Sequence, residues 1–332
     1  MNHRPILVAG AGSWGTALAI LIARNGHPVL LWGHDAAHIA RLSRERCNAR
    51  HLPGFAFPPP LTPVEELEEA LTQARDVIAA VPVAGLRGVL EQIAIHAPAD
   101  VRISWACKGF ERDTLCLPHQ IVEQMFSRDC PQAVISGPSF AREVAADVPT
   151  AIVVGSRDAG FAGDLVARLH GGRFRTYRSE DVTGIEIGGA VKNVFAIAAG
   201  ISDGLGFGAN SRAALITRGL AEMMRLGEAM GAHRETFMGL AGLGDLVLTC
   251  TQDQSRNRRL GLALAAGKDL ATALKEINQT VEGVHTADAV EKLAKKHGVE
   301  IPIAVEVARI LRGETTPQAA VQTLLARGPT SE

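Results

Sequence analysis

Aromatic residues make up only 4% of this 332-residue chain, and neither sign of charge is in excess: 34 Lys and Arg stand against 35 Asp and Glu, for a net charge of −1. That balance excludes bulk attraction to nucleic acid or to an anionic membrane, so any phosphate recognition must come from local clusters. Few aromatics together with 34 glycines speak against a β-sandwich and for closely packed helices and backbone-lined ligand loops. Cysteine is sparse as well. Cys47, Cys107, Cys116, Cys130 and Cys250 are odd in number and scattered, with no Cys-x-x-Cys pair. This argues against a metal site or a disulfide framework and for reduced thiols in a cytoplasmic protein. After His3 and Arg4 the uncharged stretch from Pro5 to Ala23 has the look of a signal peptide, but Gly10, Gly12, Ser13 and Gly15 interrupt it and no second apolar span follows. A strand, a turn and a helix are expected there, and neither a targeting segment nor a membrane span.

What the chain does have is enough apolar material, 47%, for a sizeable core; at this length two domains are the natural expectation. The first half alternates short apolar strands with helical stretches. Strands are expected at Ile6–Ala9, Pro28–Trp32, Asp76–Val81, Val101–Ala106, Ala133–Ser136, Ala151–Gly155 and Arg173–Tyr177, with helices at Gly15–Asn25 and Leu86–His96. Such alternation predicts a mostly parallel sheet covered on both faces. Pro53–Pro63 is proline-rich and reads as a loop over the sheet. From Ile185 onward long Ala/Leu/Met-rich helical stretches take over: Ile185–Gly200, Asn210–Met230, Asn257–Ala266, Ala287–His297 and Ile303–Leu311. The change of periodicity divides the chain into residues 1–183 and 184–332.

The first chemical motif is GAGSWG, with Gly10, Gly12 and Gly15, placed directly after the first strand and opening the first helix. The first glycine allows the tight turn, the second lets the backbone approach a pyrophosphate, and the third lets helix pack on strand. The helix N-terminus then offers unpaired N–H groups to the phosphate. The second strand ends at Trp32 without an acidic residue, and His34 precedes Asp35. An acidic strand end usually holds the ribose 2′-hydroxyl of NAD. His34 here admits two readings, a donor to a 2′-phosphate or a solvated loop residue.

Three further stretches carry candidate chemistry. In IEIGGAVKNVFAIAAG, Lys192 and Asn193 interrupt an apolar helix, and Gly188, Lys192, Ala196 and Ala199 share a small-residue face. Desolvation there favours neutral lysine and suits it to proton transfer; a lysine whose stem packs while its ammonium reaches water is the other reading. In GLGDLVLTCT, Asp245 follows a glycine-rich turn, as a carboxylate that orients a lysine or accepts a substrate hydroxyl, or as a helix cap. In QSRNRRLGLALAAG, Ser255 can cap a helix with Arg256, Asn257, Arg258 and Arg259 in its first turn. Cations oppose the helix dipole at that end, so a compensating anion such as a phosphate dianion is expected, the alternative being a basic surface turn.

Taken in order, GAGSWGTALA, ISGPSFA, GGAVKN, GLGDLVLTCT and SRNRR resemble the bacterial NAD(P)-dependent glycerol-3-phosphate dehydrogenases, from Ile6 to beyond Pro302. The resemblance implies an α/β fold: an N-terminal Rossmann dinucleotide-binding domain followed by an all-helical domain like that of 6-phosphogluconate dehydrogenase. It implies interconversion of dihydroxyacetone phosphate and sn-glycerol 3-phosphate with NADP or NAD, supplying glycerol 3-phosphate for phospholipid synthesis, and a cytoplasmic homodimer. Lys192 matches the family's proton donor and acceptor, and Asp245 is the second catalytic residue it implies. Lys108, Gly137, Ser139, Lys192, Asp245, Ser255, Arg256 and Asn257 match substrate-binding positions. Gly10, Gly12, Ser13, Trp14, Gly15, His34, Lys108, Ala141, Arg256 and Glu282 match cofactor-binding positions. Trp14 stands where tyrosine or phenylalanine occurs and Ser139 where threonine occurs, each keeping the aromatic face or the hydroxyl; Thr280 replaces an apolar residue and is left out of the site. Another β-hydroxyacid dehydrogenase acting on a carboxylate, or a non-catalytic dinucleotide sensor, are the rival functions. The sensor has no use for Lys192 or Asp245.

Overall fold

A computed structural model describes residues 4–127 and 129–328; His3 and the outer ends of the two expected domains lie outside them. The residues up to Glu111 form one compact unit with Cys116–Val182, and Arg112–Leu115 group with the residues from Thr183 in a second.

The first unit contains the strands β1 (Ile6–Ala9), β2 (Val29–Trp32), β3 (Cys47–Asn48), β4 (Leu52–Ala56), β5 (Leu61–Val64), β6 (Asp76–Ala79), β7 (Arg102–Trp105), β8 (Gln132–Ser136), β9 (Thr150–Gly155) and β10 (Phe174–Ser179). Its helices are α1 (Ser13–Arg24), α2 (Ala36–Glu45), α3 (Leu67–Gln73), α4 (Val83–His96), α5 (Pro118–Met125), α6 (Ala141–Ala145) and α7 (Ala159–Leu169). Eight strands make one sheet in the order β10-β9-β8-β7-β6-β1-β2-β5. Neighbours run parallel except β8 and β9. β1, β2, β6 and β7 are buried along their whole length, as a parallel sheet covered on both faces requires. The chain proceeds outward from β1 through β2 and returns to β6 on its other side. The carboxyl end of β1 is therefore the switch point at which open α/β sheets bind ligands.

The stretch Pro53–Pro63 is not a simple loop. It holds most of β4, which pairs antiparallel with β3, and the start of β5, which pairs with β2 at the edge of the sheet. At an edge the missing N–H of Pro63 is tolerated, so the proline signal misleads there.

The second unit is helical: α8 (Val182–Gly204), α9 (Ala209–Ala229), α10 (Asp245–Thr251), α11 (Arg256–Ala265), α12 (Leu270–Ile277), α13 (Gly283–His297), α14 (Pro302–Leu311) and α15 (Pro317–Leu325). α10, α12 and α15 are additions to the helices expected from periodicity. α8 is long and apolar enough to cross a membrane by composition, but the whole of its apolar window is buried inside the protein. It is a core helix against which α9, α11, the start of α13 and the Leu240–Gly244 turn pack closely.

Candidate active site

The glycine loop follows β1 directly. Gly10 has φ +131°, and a Cβ on it would lie 2.5 Å from the Ala80 carbonyl oxygen. A Cβ on Gly15 would lie 1.9 Å from the Gly10 oxygen. Gly12 differs: nothing lies within 4 Å of the position a Cβ would take. The loop is thus closed beneath and open at Gly12, where α1 begins with no acidic residue in its first turn. Unpaired N–H groups beside open space fit a pyrophosphate, and the cofactor that the motif implies fits this loop. The buried Asn48 donates to the Ala11 carbonyl at 3.0 Å and to Thr16 Oγ1 at 2.8 Å, which ties the β3–β4 hairpin to the loop. Ser13 Oγ donates to the His51 carbonyl at 2.6 Å, and Trp14 is half-buried beside the core. His34 is exposed past the end of β2.

Three residues assigned to substrate meet in the same unit. Lys108 Nζ donates to the Gly137 carbonyl at 3.3 Å, and Ser139 Oγ donates to that same oxygen at 3.1 Å. Ala141 opens α6 immediately beyond. One carbonyl therefore holds an ammonium and a hydroxyl together at the carboxyl end of β8.

The remaining site residues belong to the helical unit. Lys192 lies mid-way along α8, and Asp245 opens α10 after a π-type turn at Leu240–Gly244. A Cβ on Gly188, one helical turn before Lys192, would sit 2.6 Å from the Ala241 carbonyl oxygen. The turn packs against α8 at backbone distance only because residue 188 is glycine, and this brings the next residues up to the lysine. Lys192 Nζ donates to Asp245 Oδ1 at 2.5 Å and to Thr249 Oγ1 at 3.0 Å. The two charged side chains are 8% and 2% exposed. The snorkelling alternative is thereby excluded, and so is a solitary desolvated lysine: Asp245 offsets the burial of the ammonium. Thr249 Oγ1 in turn donates to the Asp245 carbonyl at 2.6 Å, one turn back along α10.

Ser255 caps α11, its hydroxyl accepting the Arg258 N–H at 3.2 Å. Three of the four polar residues that follow separate in role. Arg258 is buried and paired with Asp203 at 2.6 Å and with Asp253, so protein carboxylates, not a ligand, compensate it. Asn257 donates to Asn193 Oδ1 at 2.8 Å and accepts the Gly283 N–H at 3.0 Å. Asn193 reaches Glu282 Oε2 at 3.5 Å, where α13 begins. Among the described residues no carboxylate pairs with Arg256, and the first turn of α11 contains no acidic residue.

Sequence reasoning passed over Thr249 and Asn193 as site residues. Both had a signal, Thr249 four residues after Asp245 on a helix and Asn193 as the other polar interruption of α8. It also missed Glu222, buried on α9, whose two oxygens accept the Ile303 and Ala304 N–H groups at 2.8 and 3.1 Å; burial pushes its carboxyl up to about 7. Glu222 lines a groove of about 1240 Å³ with Ile201, Leu215, Val307 and Leu324, which none of the expected site residues borders. The five cysteines are free thiols, and burial pushes that of Cys250 up to about 12. No group of three or more potential ligands is placed to hold a metal among the described residues.

A glycine loop at the switch point of a doubly wound sheet, with a buried lysine–carboxylate pair on a separate helical unit, is the plan of the two-domain dinucleotide-dependent dehydrogenases. Comparison with known proteins narrows the class. Residues 5–162 match the family model for the NAD-dependent glycerol-3-phosphate dehydrogenase N-terminus, and residues 181–322 match that for its C-terminus. The chain belongs to this family. It is 54% identical over 328 residues to the glycerol-3-phosphate dehydrogenase (NAD(P)+) of Shewanella amazonensis, covering 98% of this chain and 97% of that one. Against the enzyme of the same name from Nitrosococcus oceani it is 54% identical over 321 residues, covering 97% and 93%. The crystal structure of glycerol-3-phosphate dehydrogenase from Coxiella burnetii superposes with a TM-score of 0.94 at 47% identity, covering 98% of this chain and 99% of that one.

Proposed function

We propose that the chain interconverts dihydroxyacetone phosphate and sn-glycerol 3-phosphate with NAD or NADP, as a cytoplasmic enzyme that supplies glycerol 3-phosphate for phospholipid synthesis and acts as a homodimer. Residues 1–183 serve as the dinucleotide-binding domain and 184–332 as the helical substrate and catalytic domain. The observation that carries the reading is the buried Lys192–Asp245–Thr249 cluster, a positioned proton donor in a chain of this family.

The bound nicotinamide supplies or accepts the hydride at the substrate's C2. Gly10, Gly12, Ser13, Trp14 and Gly15 hold the pyrophosphate side of the cofactor, and His34 lies toward the adenosine. Ala141, Arg256 and Glu282 complete its contacts. As C2 gains hydride, negative charge develops on its oxygen. The Lys192 ammonium stabilises that charge and gives the oxygen a proton; in the reverse direction the neutral amine takes the proton from the hydroxyl. Asp245 and Thr249 keep the amine in one orientation. Lys108, Gly137 and Ser139 serve as substrate-binding residues, and Asn257 braces the start of α11. Arg256, which among the described residues has no carboxylate partner, takes the phosphate together with Ser255. Binding energy from the unreactive phosphate end then orients the carbonyl.

The test follows reduced-cofactor absorbance with dihydroxyacetone phosphate, and with carboxylate substrates of β-hydroxyacid dehydrogenases alongside. Turnover of the phosphate ester well above the carboxylates is the expected result. Preference for a carboxylate, or cofactor binding without turnover, overturns it.

A further inference from the structure

The hairpin that braces the glycine loop also carries an arginine to the end of β2, where a dinucleotide's adenosine ribose is read. Asp35 is the acidic residue nearest that end, and both of its oxygens are engaged. Oδ1 accepts the His38 N–H at 3.0 Å and caps α2; Oδ2 faces Arg50 Nη1 at 3.5 Å. The cap holds the Asp35 carboxyl below the usual carboxylate range. The other charged or titratable groups acting on Asp35 and His38 are basic: His34, Arg41 and Arg50. His51, the next residue of the hairpin, packs edge-on against His38 with ring centroids 5.2 Å apart.

Arg50 itself is positioned at its backbone and open at its head. Asn48 Oδ1 accepts the His51 N–H at 3.1 Å, and Ser13 donates to the His51 carbonyl, so the residue after Arg50 is pinned to the loop on both sides. The Arg50 side chain is 58% exposed, and its contact with Asp35 is long. An exposed pair at that distance is weak and screened, whereas a guanidinium binds a phosphate through two parallel charge-assisted hydrogen bonds.

We propose that Arg50, with His34 beside it, is the receptor for the adenosine 2′-phosphate of NADP(H), and that Asp35 is a helix cap and counter-ion to Arg50, not the ribose acceptor of an NAD site. This rests on the dinucleotide-binding reading above. Arg50 exchanges its loose contact with Asp35 for the phosphate, and Asp35 keeps its role at the start of α2. The site thereby favours the phosphorylated cofactor.

Equilibrium binding tests it without turnover, with NADPH and NADH followed by nicotinamide fluorescence, and adenosine 2′,5′-bisphosphate and AMP by calorimetry. The parent protein is expected to bind the bisphosphate more tightly than AMP. Arg50→Ala should weaken NADPH and the bisphosphate about tenfold or more, the scale of a charge-assisted bond, and leave NADH and AMP within about twofold. Asp35→Asn keeps a good cap while removing the charge, and should tighten NADPH without weakening NADH. The proposal is overturned if Arg50→Ala weakens both dinucleotides equally or neither, or if Asp35→Asn weakens NADH, which would make Asp35 the ribose acceptor. A parent protein that binds neither dinucleotide overturns the cofactor reading itself, and the proposal with it.

Discussion

Replacing Lys192 and Asp245 singly and together separates what the pair does for the fold from what it does for the reaction. The two side chains meet at 2.5 Å with 8% and 2% exposure. Lys192→Met takes the ammonium away from a buried carboxylate whose Oδ1 also lies 3.4 Å from Thr249 Oγ1. Asp245→Asn leaves a buried ammonium held by the Thr249 hydroxyl at 3.0 Å. Stranding one member of a buried pair costs about 3–5 kcal/mol, while replacing both is often close to neutral. Simple addition of the two singles would give about 6–10 kcal/mol; the double variant should lose far less, with a coupling of about 3 kcal/mol or more. Urea unfolding of the four proteins measures this directly. Turnover should not follow stability. Both variants without the lysine should lose about 10²–10⁴-fold in kcat, the usual contribution of general acid–base catalysis, and the double variant should be no more active than Lys192→Met. Stabilities that add within about 0.5 kcal/mol would refute the electrostatic coupling. Near-parental kcat without Lys192 would refute its proton-transfer role.

Three further changes probe separate parts of the molecule. Arg256→Ala should lower kcat/KM for dihydroxyacetone phosphate about tenfold or more and scarcely alter the slow turnover of unphosphorylated dihydroxyacetone; equal losses on both, with cofactor affinity intact, would remove Arg256 from phosphate binding. Gly188→Ala places a methyl 2.6 Å from the Ala241 oxygen, so it should cost about 1–3 kcal/mol by overpacking and reduce kcat by moving Asp245 off Lys192, as urea unfolding and turnover will report. Glu222 has its carboxyl raised from 4.5 to about 7 in the fold, so the unfolded chain ionises it first and stability falls as pH rises from about 4.5 to about 7, by about 3 kcal/mol in all. In Glu222→Gln that part of the fall should vanish, and unfolding midpoints at pH 5 and pH 8 that shift as much as the parent's would contradict it.

The glycine loop, most of the parallel strands and the Ser255 cap were legible in the sequence, because each rests on interactions within a few residues: a strand's apolar run, a helix start, a hydroxyl reaching an N–H three positions on. The lysine and the aspartate were legible as candidates. Their contact was not, since they are 53 residues apart and meet only where the Leu240–Gly244 turn packs against Gly188. The basic start of α11 shows the same division. Composition alone makes Arg256, Arg258 and Arg259 equivalent answers to one anion. Packing brings Asp203, 55 residues away, onto Arg258, while among the described residues no carboxylate pairs with Arg256 or Arg259. Pro63 misled for a related reason, because a proline forbids a central strand but not an edge one, and which strand lies at an edge is a property of the whole sheet. Local backbone geometry and periodicity are thus written along the chain, whereas the partner of a buried charge is decided by which helices can approach, and that only the folded structure determines.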